Sequence, residues 1–265
     1  MAAMSLSAAS VAAASAAWIW IPDNATVVET DEYTIIRLPD WFDQRLTVPV
    51  FHPAGPGGLA EAVERTIERA RDFGLPDTRW TVRLGDPAGL GGELLVRGGR
   101  AEIVLDVLAM DLDAGVPALP APAVEVSMRW ATDFVTSRDG SVVGAVGFGG
   151  EVPPAHLISL NAERDAVTVP AGEGGMLVAY VGGRPAGCGG VTLVDGVARL
   201  WGGAVVPALR GQGVYRAVLG ARLAYAVENG AGMALVRGKV DTSGPILRRA
   251  GFTSFGRETV YRIPL

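Results

Sequence analysis

Apolar residues recur along this 265-residue chain with two different periods. Tyr33–Leu38, Leu46–Phe51, Arg79–Leu84 and Val124–Trp130 carry alternation or short apolar runs, the pattern of strands. Met176–Val181, Pro185–Val194, Val197–Val206 and Met233–Val236 do the same. The spacing Leu59, Val63, Ile67, Ala70 predicts an amphipathic helix over Leu59–Phe73. Val214, Val218, Leu219, Leu223 and Val227 predict another, from Val214 to about Asn229. Shorter helices are expected at Leu90–Val96, Phe134–Phe148, His156–Arg164 and Ser243–Ala250. Ala101–Leu112 reads as one long strand or a strand pair, and two closing strands are expected near Phe255 and at Thr259–Ile263. Gly182-Gly183 and Asp195-Gly196 are hairpin turns between neighbouring strands.

The punctuation divides the chain. Val116–Ala123 is rich in proline and favours an extended, semi-rigid spacer. The expected organisation is therefore an arm over 1–24, a small αβ domain over 25–115, a linker over 116–123 and a second domain over 124–265. The arm reads as helical up to Ala17, with Trp18, Ile19 and Trp20 docking on the body.

One stretch carries chemistry: Val205-Val206-Pro207-Ala208-Leu209-Arg210-Gly211-Gln212-Gly213-Val214-Tyr215. Pro207 ends the preceding strand because it has no N–H for the ladder. Gly211 and Gly213 let the backbone turn sharply into a helix. A strand–turn–helix of this kind aims several amides and the positive end of a helix dipole at one spot, an anion site. Arg210 adds a full charge. No Gly-Lys-Ser/Thr follows, so this is not a Walker loop, and the glycine spacing does not fit a dinucleotide fingerprint.

Val-Val-Pro-x-x-Arg-Gly-Gln-Gly-Val-Tyr resembles the acyl-CoA loop, Arg/Gln-x-x-Gly-x-Gly/Ala, of the GCN5-related N-acetyltransferase (GNAT) superfamily. Tyr215 stands where Gly or Ala is usual. Ser243-x-Pro245-Ile246-Leu247-Arg248-Arg249-Ala250-Gly251-Phe252 is similar to the family's last helix and its terminal Gly-Phe. The resemblance runs from about Val124 to Leu265. It implies an α/β (α+β) fold, a mixed, mostly antiparallel sheet with helices on both faces. The strand–helix–strand–helix–strand order of 25–115 echoes the second half of such a domain, so a tandem arrangement with a degenerate amino-terminal half-copy is expected. Its counterpart of the glycine loop, His52-Pro53-Ala54-Gly55-Pro56-Gly57-Gly58, has two prolines and few amides for a phosphate.

Composition narrows the alternatives. Hydrophobic residues are 49% and charged residues 19%, which suits a buried core and excludes general disorder. The single cysteine, Cys188, excludes an internal disulfide, and the reducing cytoplasm is the expected compartment. His52 and His156 are far apart, so no metal is expected. The net charge of −5 is uneven, since Pro207–Leu265 holds nine basic and three acidic residues. That basic segment suits a polyanionic cofactor, whereas the overall acidity argues against nucleic acid. Residues 1–24 contain no Lys or Arg, unlike a secretory signal, and Ala8–Ile21 is short for a membrane span. No membrane partner is expected, and a homodimer remains open.

The resemblance implies attack of an amine on an acyl-CoA thioester, with acetyl-CoA as co-substrate, no metal, and a small-molecule amine as acceptor. Gly211, Gln212, Gly213, Val214 and Tyr215 would hold the pyrophosphate by their amides, with Arg210 at the mouth and Ser243 as a further contact. A strand amide near Val205 and Val206 would meet the thioester oxygen. The family's usual tyrosine falls at Leu247, and no carboxylate lies in Val197–Val206. Tyr215 is therefore the candidate proton donor, with Glu173, Asp195 and Glu151 as water-mediated bases. A mycothiol-synthase-like tandem acetyltransferase and a non-catalytic acyl-CoA-binding scaffold are the alternatives. The glycine-rich Gly144–Gly150 reads as a close-packed or flexible element.

Overall fold

The computed structural model describes residues 6–22, 24–42, 44–53 and 57–265. By contact the chain forms two units, partitioned differently from the sequence-derived domains. One comprises 1–11, 108–237 and 245–254; the other comprises 12–107, 238–244 and 255–265.

The elements follow the predicted periods closely. They are α1 (Ala8–Ala16), β1 (Thr26–Glu29), β2 (Tyr33–Arg37), β3 (Leu46–Phe51), α2 (Gly58–Arg71), β4 (Asp77–Val82), α3 (Leu90–Val96) and β5 (Arg100–Asp111). Then come β6 (Ser127–Trp130), α4 (Phe134–Phe148), α5 (Ala155–Thr168), β7 (Gly174–Val181), β8 (Arg184–Val194) and β9 (Val197–Val205). The chain ends with α6 (Val214–Glu228), β10 (Met233–Lys239), α7 (Ser243–Arg249) and β11 (Thr253–Pro264). The expected pair of closing strands is the single strand β11, which passes through Gly256 at φ 139° without breaking.

In the unit built on 12–107, β1, β2 and β3 are antiparallel neighbours and β3 runs parallel to β4. The end of the chain completes this unit, for Thr259–Pro264 of β11 pair antiparallel with β4. Its core is Ile35, Leu46, Val48, Phe51, Val63, Ile67, Trp80, Leu90, Leu94 and Ile263, with Phe51 edge-on to Trp80. Ser15, past the middle of α1, is buried and donates to the buried Glu258 carboxylate at 2.7 Å. Arg83 caps the same segment by donating to the Ala16 and Trp18 carbonyls. Ala54, Gly55 and Pro56 of the glycine-loop counterpart lie outside the described residues. Gly57 and Gly58 lead into α2 with positive φ.

In the other unit the strand order is β10-β9-β8-β7-β6. The meander β6–β9 is antiparallel, and β9 runs parallel to β10. The turns at Gly182-Gly183 and Asp195-Gly196 have positive φ at both positions, as tight hairpins require. Leu200, Leu219, Leu223, Ala234, Val236, Leu247 and Phe252 form the main core. The Pro-rich segment is laid along the start of α6: the Ala123 amide donates to the Gln212 carbonyl at 2.9 Å, and Arg216 Nε to Pro120 O at 3.3 Å.

Candidate active site

The site starts where β9 parts from β10. Their parallel ladder runs from Val197–Met233 to Leu200–Val236 and ends there. Trp201–Val205 continue along β8 alone, so the other edge of β9 has no strand pairing there. The register with β8 slips at this point: Gly190 faces Trp201, but Cys188 faces Ala204. One residue of β8, Gly189, therefore opposes Gly202 and Gly203, a bulge that bends β9 away. Gly202 has φ 61°, which glycine adopts without a Cβ penalty.

The loop follows. Pro207–Leu209 make one 3₁₀ turn, and Gly211 and Gly213 both have left-handed φ, at 80° and 88°. Gly213 is the N-cap of α6 and offers no side chain to its first turn. Ala217 donates back to the Gly213 carbonyl at 3.1 Å. Before it, the six consecutive amides of Gly211–Arg216 make no backbone hydrogen bond of good geometry among the described residues. Two glycines thus turn the chain so that a run of bare N–H groups gathers at a helix N-terminus, where the dipole adds positive potential. Arg210 is exposed, and its Nε donates to the Val205 carbonyl at 3.3 Å.

The face of β8 and β9 under α6 is lined by glycine. A Cβ on Gly187 would meet Val214 at 2.9 Å, one on Gly189 would meet Arg222 at 2.8 Å, and one on Gly203 would meet the Tyr215 ring at 2.8 Å. The missing side chains let α6 lie close under β8 and β9. Tyr215 thereby comes against the bulge. Arg222 is buried, and burial lowers its pKa, disfavouring its charge. On the opposite face α4 packs through Val143 on Cys188 and Ala204. The Cys188 thiol donates to the Gly202 carbonyl at 3.6 Å, and burial pushes its pKa up to about 11.

A model of the Acetyltransferase (GNAT) family matches residues 151–249, from the α4–α5 connection to the end of α7. Residues 151–249 carry the similarity to this family. The fold agrees. A GCN5-related N-acetyltransferase from Kribbella flavida superposes with a TM-score of 0.64 at 19% identity, over 91% of this chain and 90% of that one. One from Sphaerobacter thermophilus gives 0.67 at 18% identity, over 88% and 80%. A tandem GNAT protein from the clavulanic acid biosynthesis pathway gives 0.63 at 18% identity, over 92% and 85%. At these identities the likeness is one of fold. No curated protein matches the sequence.

The expected site residues lie within the matched segment at several different places. Gly211, Gln212, Gly213, Val214 and Tyr215 lie in one loop with their amides bare, and Tyr215 also borders the bulge. The Val206 N–H does not supply the strand amide, because it donates to Ala186 O at 2.9 Å. Val205 faces Gly187 in the adjoining non-hydrogen-bonded position, so its N–H points away from β8. The irregularity lies earlier, at Gly202–Gly203. Ser243 begins α7, and its hydroxyl accepts the Lys239 N–H of the preceding turn at 2.9 Å. Glu173 and Asp195 sit at the far end of β9 from the loop, where Leu193 donates to Glu173 O and Asp195 makes the hairpin tip. Glu151 is exposed in the connection after α4. Leu247 is 1% exposed and belongs to the core.

Arg222 and the glycine-lined face are site features that periodicity alone does not reveal. One signal exists, since 222 continues the apolar stripe 214, 218, 226 at helical spacing. Among the described residues no group of three or more His, Cys, Asp or Glu forms a metal cluster, and no described helix is long and apolar enough to cross a membrane.

Proposed function

We propose that the chain is an acyl-CoA-dependent N-acyltransferase that moves acetyl from acetyl-CoA to the amine of a small molecule by direct attack. The observation that carries this is the run of bare amides, Gly211–Arg216, next to the unpaired edge of β9 at Trp201–Val205. The diphosphate of CoA supplies the acceptors those amides lack, and Arg210 stands at the rim. The pantetheine arm then lies along the unpaired edge of β9, and a bulge amide at Gly202–Gly203 meets the thioester oxygen as charge develops. Holding the two reactants in one cleft contributes much of the rate, about 7–11 kcal/mol in favourable cases. Tyr215 gives the leaving sulfur its proton. The nine basic residues after Pro207 favour the polyanionic cofactor electrostatically.

Titration calorimetry with CoA and acetyl-CoA, paired with thiol release against a panel of amines, tests the reading. Saturable binding with turnover on at least one amine is expected. Binding without turnover on any amine favours a non-catalytic acyl-CoA-binding protein. That second reading draws on Leu247, buried in the core where the family's tyrosine is expected, and on the lack of a carboxylate in β9.

A further inference from the structure

Arg222 lies on an otherwise apolar face of α6 and is 1% exposed. No carboxylate pairs with it among the described residues. A charge removed from water without a counter-ion is costly unless dipoles surround it. Here those dipoles are backbone carbonyls. Nη1 donates to Gly190 O at 3.0 Å and Trp201 O at 3.3 Å, and Nε to Val218 O at 3.3 Å. Nη2 has no hydrogen-bond partner of good geometry. The groups that act on this cation electrostatically are the Tyr215 hydroxyl and the Cys188 thiol.

Its place in the fold is specific. Trp201 immediately precedes the bulge, and Gly190 is the cross-strand partner of Trp201. The guanidinium holds both strands at one end of the bulge from the α6 face, while the Cys188 thiol holds Gly202 O from the α4 face. Gly189 makes the room, since a Cβ there would lie 2.8 Å from Arg222 Cζ. Tyr215, two helical turns earlier on α6, lies against Gly203.

We propose that Arg222 is a positioning residue of the transfer reaction: it fixes the Trp201–Gly203 bulge and aims the Tyr215 hydroxyl at the cleft where the thioester sulfur departs. This rests on the acyl-CoA reading. In the step, the amine lone pair attacks the thioester carbon and the carbon–sulfur bond breaks with its electron pair on sulfur. The Tyr215 O–H proton passes to the sulfur. The proton lost by the acylated nitrogen goes to water, and water reprotonates the tyrosinate. No other reactant is needed.

CoA itself is the probe. The titratable and charged groups at the bulge are Tyr215 and Arg222 on the α6 face and Cys188 on the α4 face. The thiolate absorbance of bound CoA, taken as a difference from the acetyl-CoA complex, should appear at lower pH than for free CoA. The acid dissociation constant should rise at least about tenfold, one pKa unit. Tyr215→Phe and Arg222→Met should each reverse most of that shift with CoA affinity retained. The double variant should lose no more than the more affected single variant, because one residue acts through the other. Arg222→Lys, which keeps the charge and loses the fork, should recover part of the shift. In turnover the same variants should lower kcat with KM for acetyl-CoA held. A bound thiol that titrates like free CoA overturns this inference and spares the acyl-CoA reading. So do fully multiplicative effects of the two substitutions. Failure of the wild-type protein to bind CoA overturns the acyl-CoA reading and this inference with it.

Discussion

Replacing Gly211 by Asp places a carboxylate where the account puts a diphosphate. The position is suited to the test. Gly211 is exposed, and a Cβ built on it meets nothing within 4 Å. Its φ of 80° is left-handed, a conformation that Asp and Asn tolerate better than other residues. Gly213 is a poor choice, because a Cβ there would lie 2.7 Å from the Pro122 Cα, so any substitution also displaces the Pro-rich segment. Gly211→Asn is the control. It carries the same backbone strain and nearly the same volume, so the Asp-to-Asn ratio isolates charge. A carboxylate about 5 Å from two phosphate charges is repelled by about 1.7 kcal/mol at the dielectric constant of water, and by about 7 kcal/mol at an effective constant of 20. The smaller figure already weakens Kd by roughly twentyfold, since about 1.4 kcal/mol is a factor of ten. Calorimetric titration with CoA in low salt reads this directly, and added salt should narrow the gap. Equal affinities for the Asp and Asn variants would refute a phosphate at this loop.

Other perturbations probe the scaffold. Gly189→Ala drives a methyl into the buried Arg222 guanidinium and should destabilise the protein by about 1–3 kcal/mol in denaturant melts. The Cys188 thiol, raised from 9.0 to about 11 by burial, favours the fold in its protonated form. That contribution is complete below pH 9, lost as pH rises through about 11, and worth about 3 kcal/mol at 1.36 kcal/mol per unit. Cys188→Ala should flatten this alkaline loss in pH-dependent melts. Leu247→Tyr restores the family's residue type in a packed core, so it should cost about 1–3 kcal/mol and bring no gain in turnover.

Much of this architecture is legible in the pattern of residues, because period and turn chemistry are local. Leu90–Val96 and Phe134–Phe148 fall where their apolar spacing and flanking glycines put them, and the two hairpin turns follow from Gly182-Gly183 and Asp195-Gly196. The glycine loop is legible for the same reason. What escapes is set by register and by partners distant in sequence. The β9 bulge depends on how two residues of one strand meet one of another, so it falls at Gly202–Gly203 and not beside Val206. Arg222 reads as a solvated helix charge until Gly189, on a different strand, vacates the space it fills. The pairing of Thr259–Pro264 with β4, far back in the chain, has no local signature at all.

The central claim concerns the amides of Gly211–Arg216, and nuclear magnetic resonance observes them one by one. In the ¹⁵N-labelled protein titrated with CoA, these six signals should shift together and their hydrogen exchange should slow as phosphate oxygens take up the N–H groups. CoA binding that leaves all six shifts and exchange rates unchanged would contradict the account.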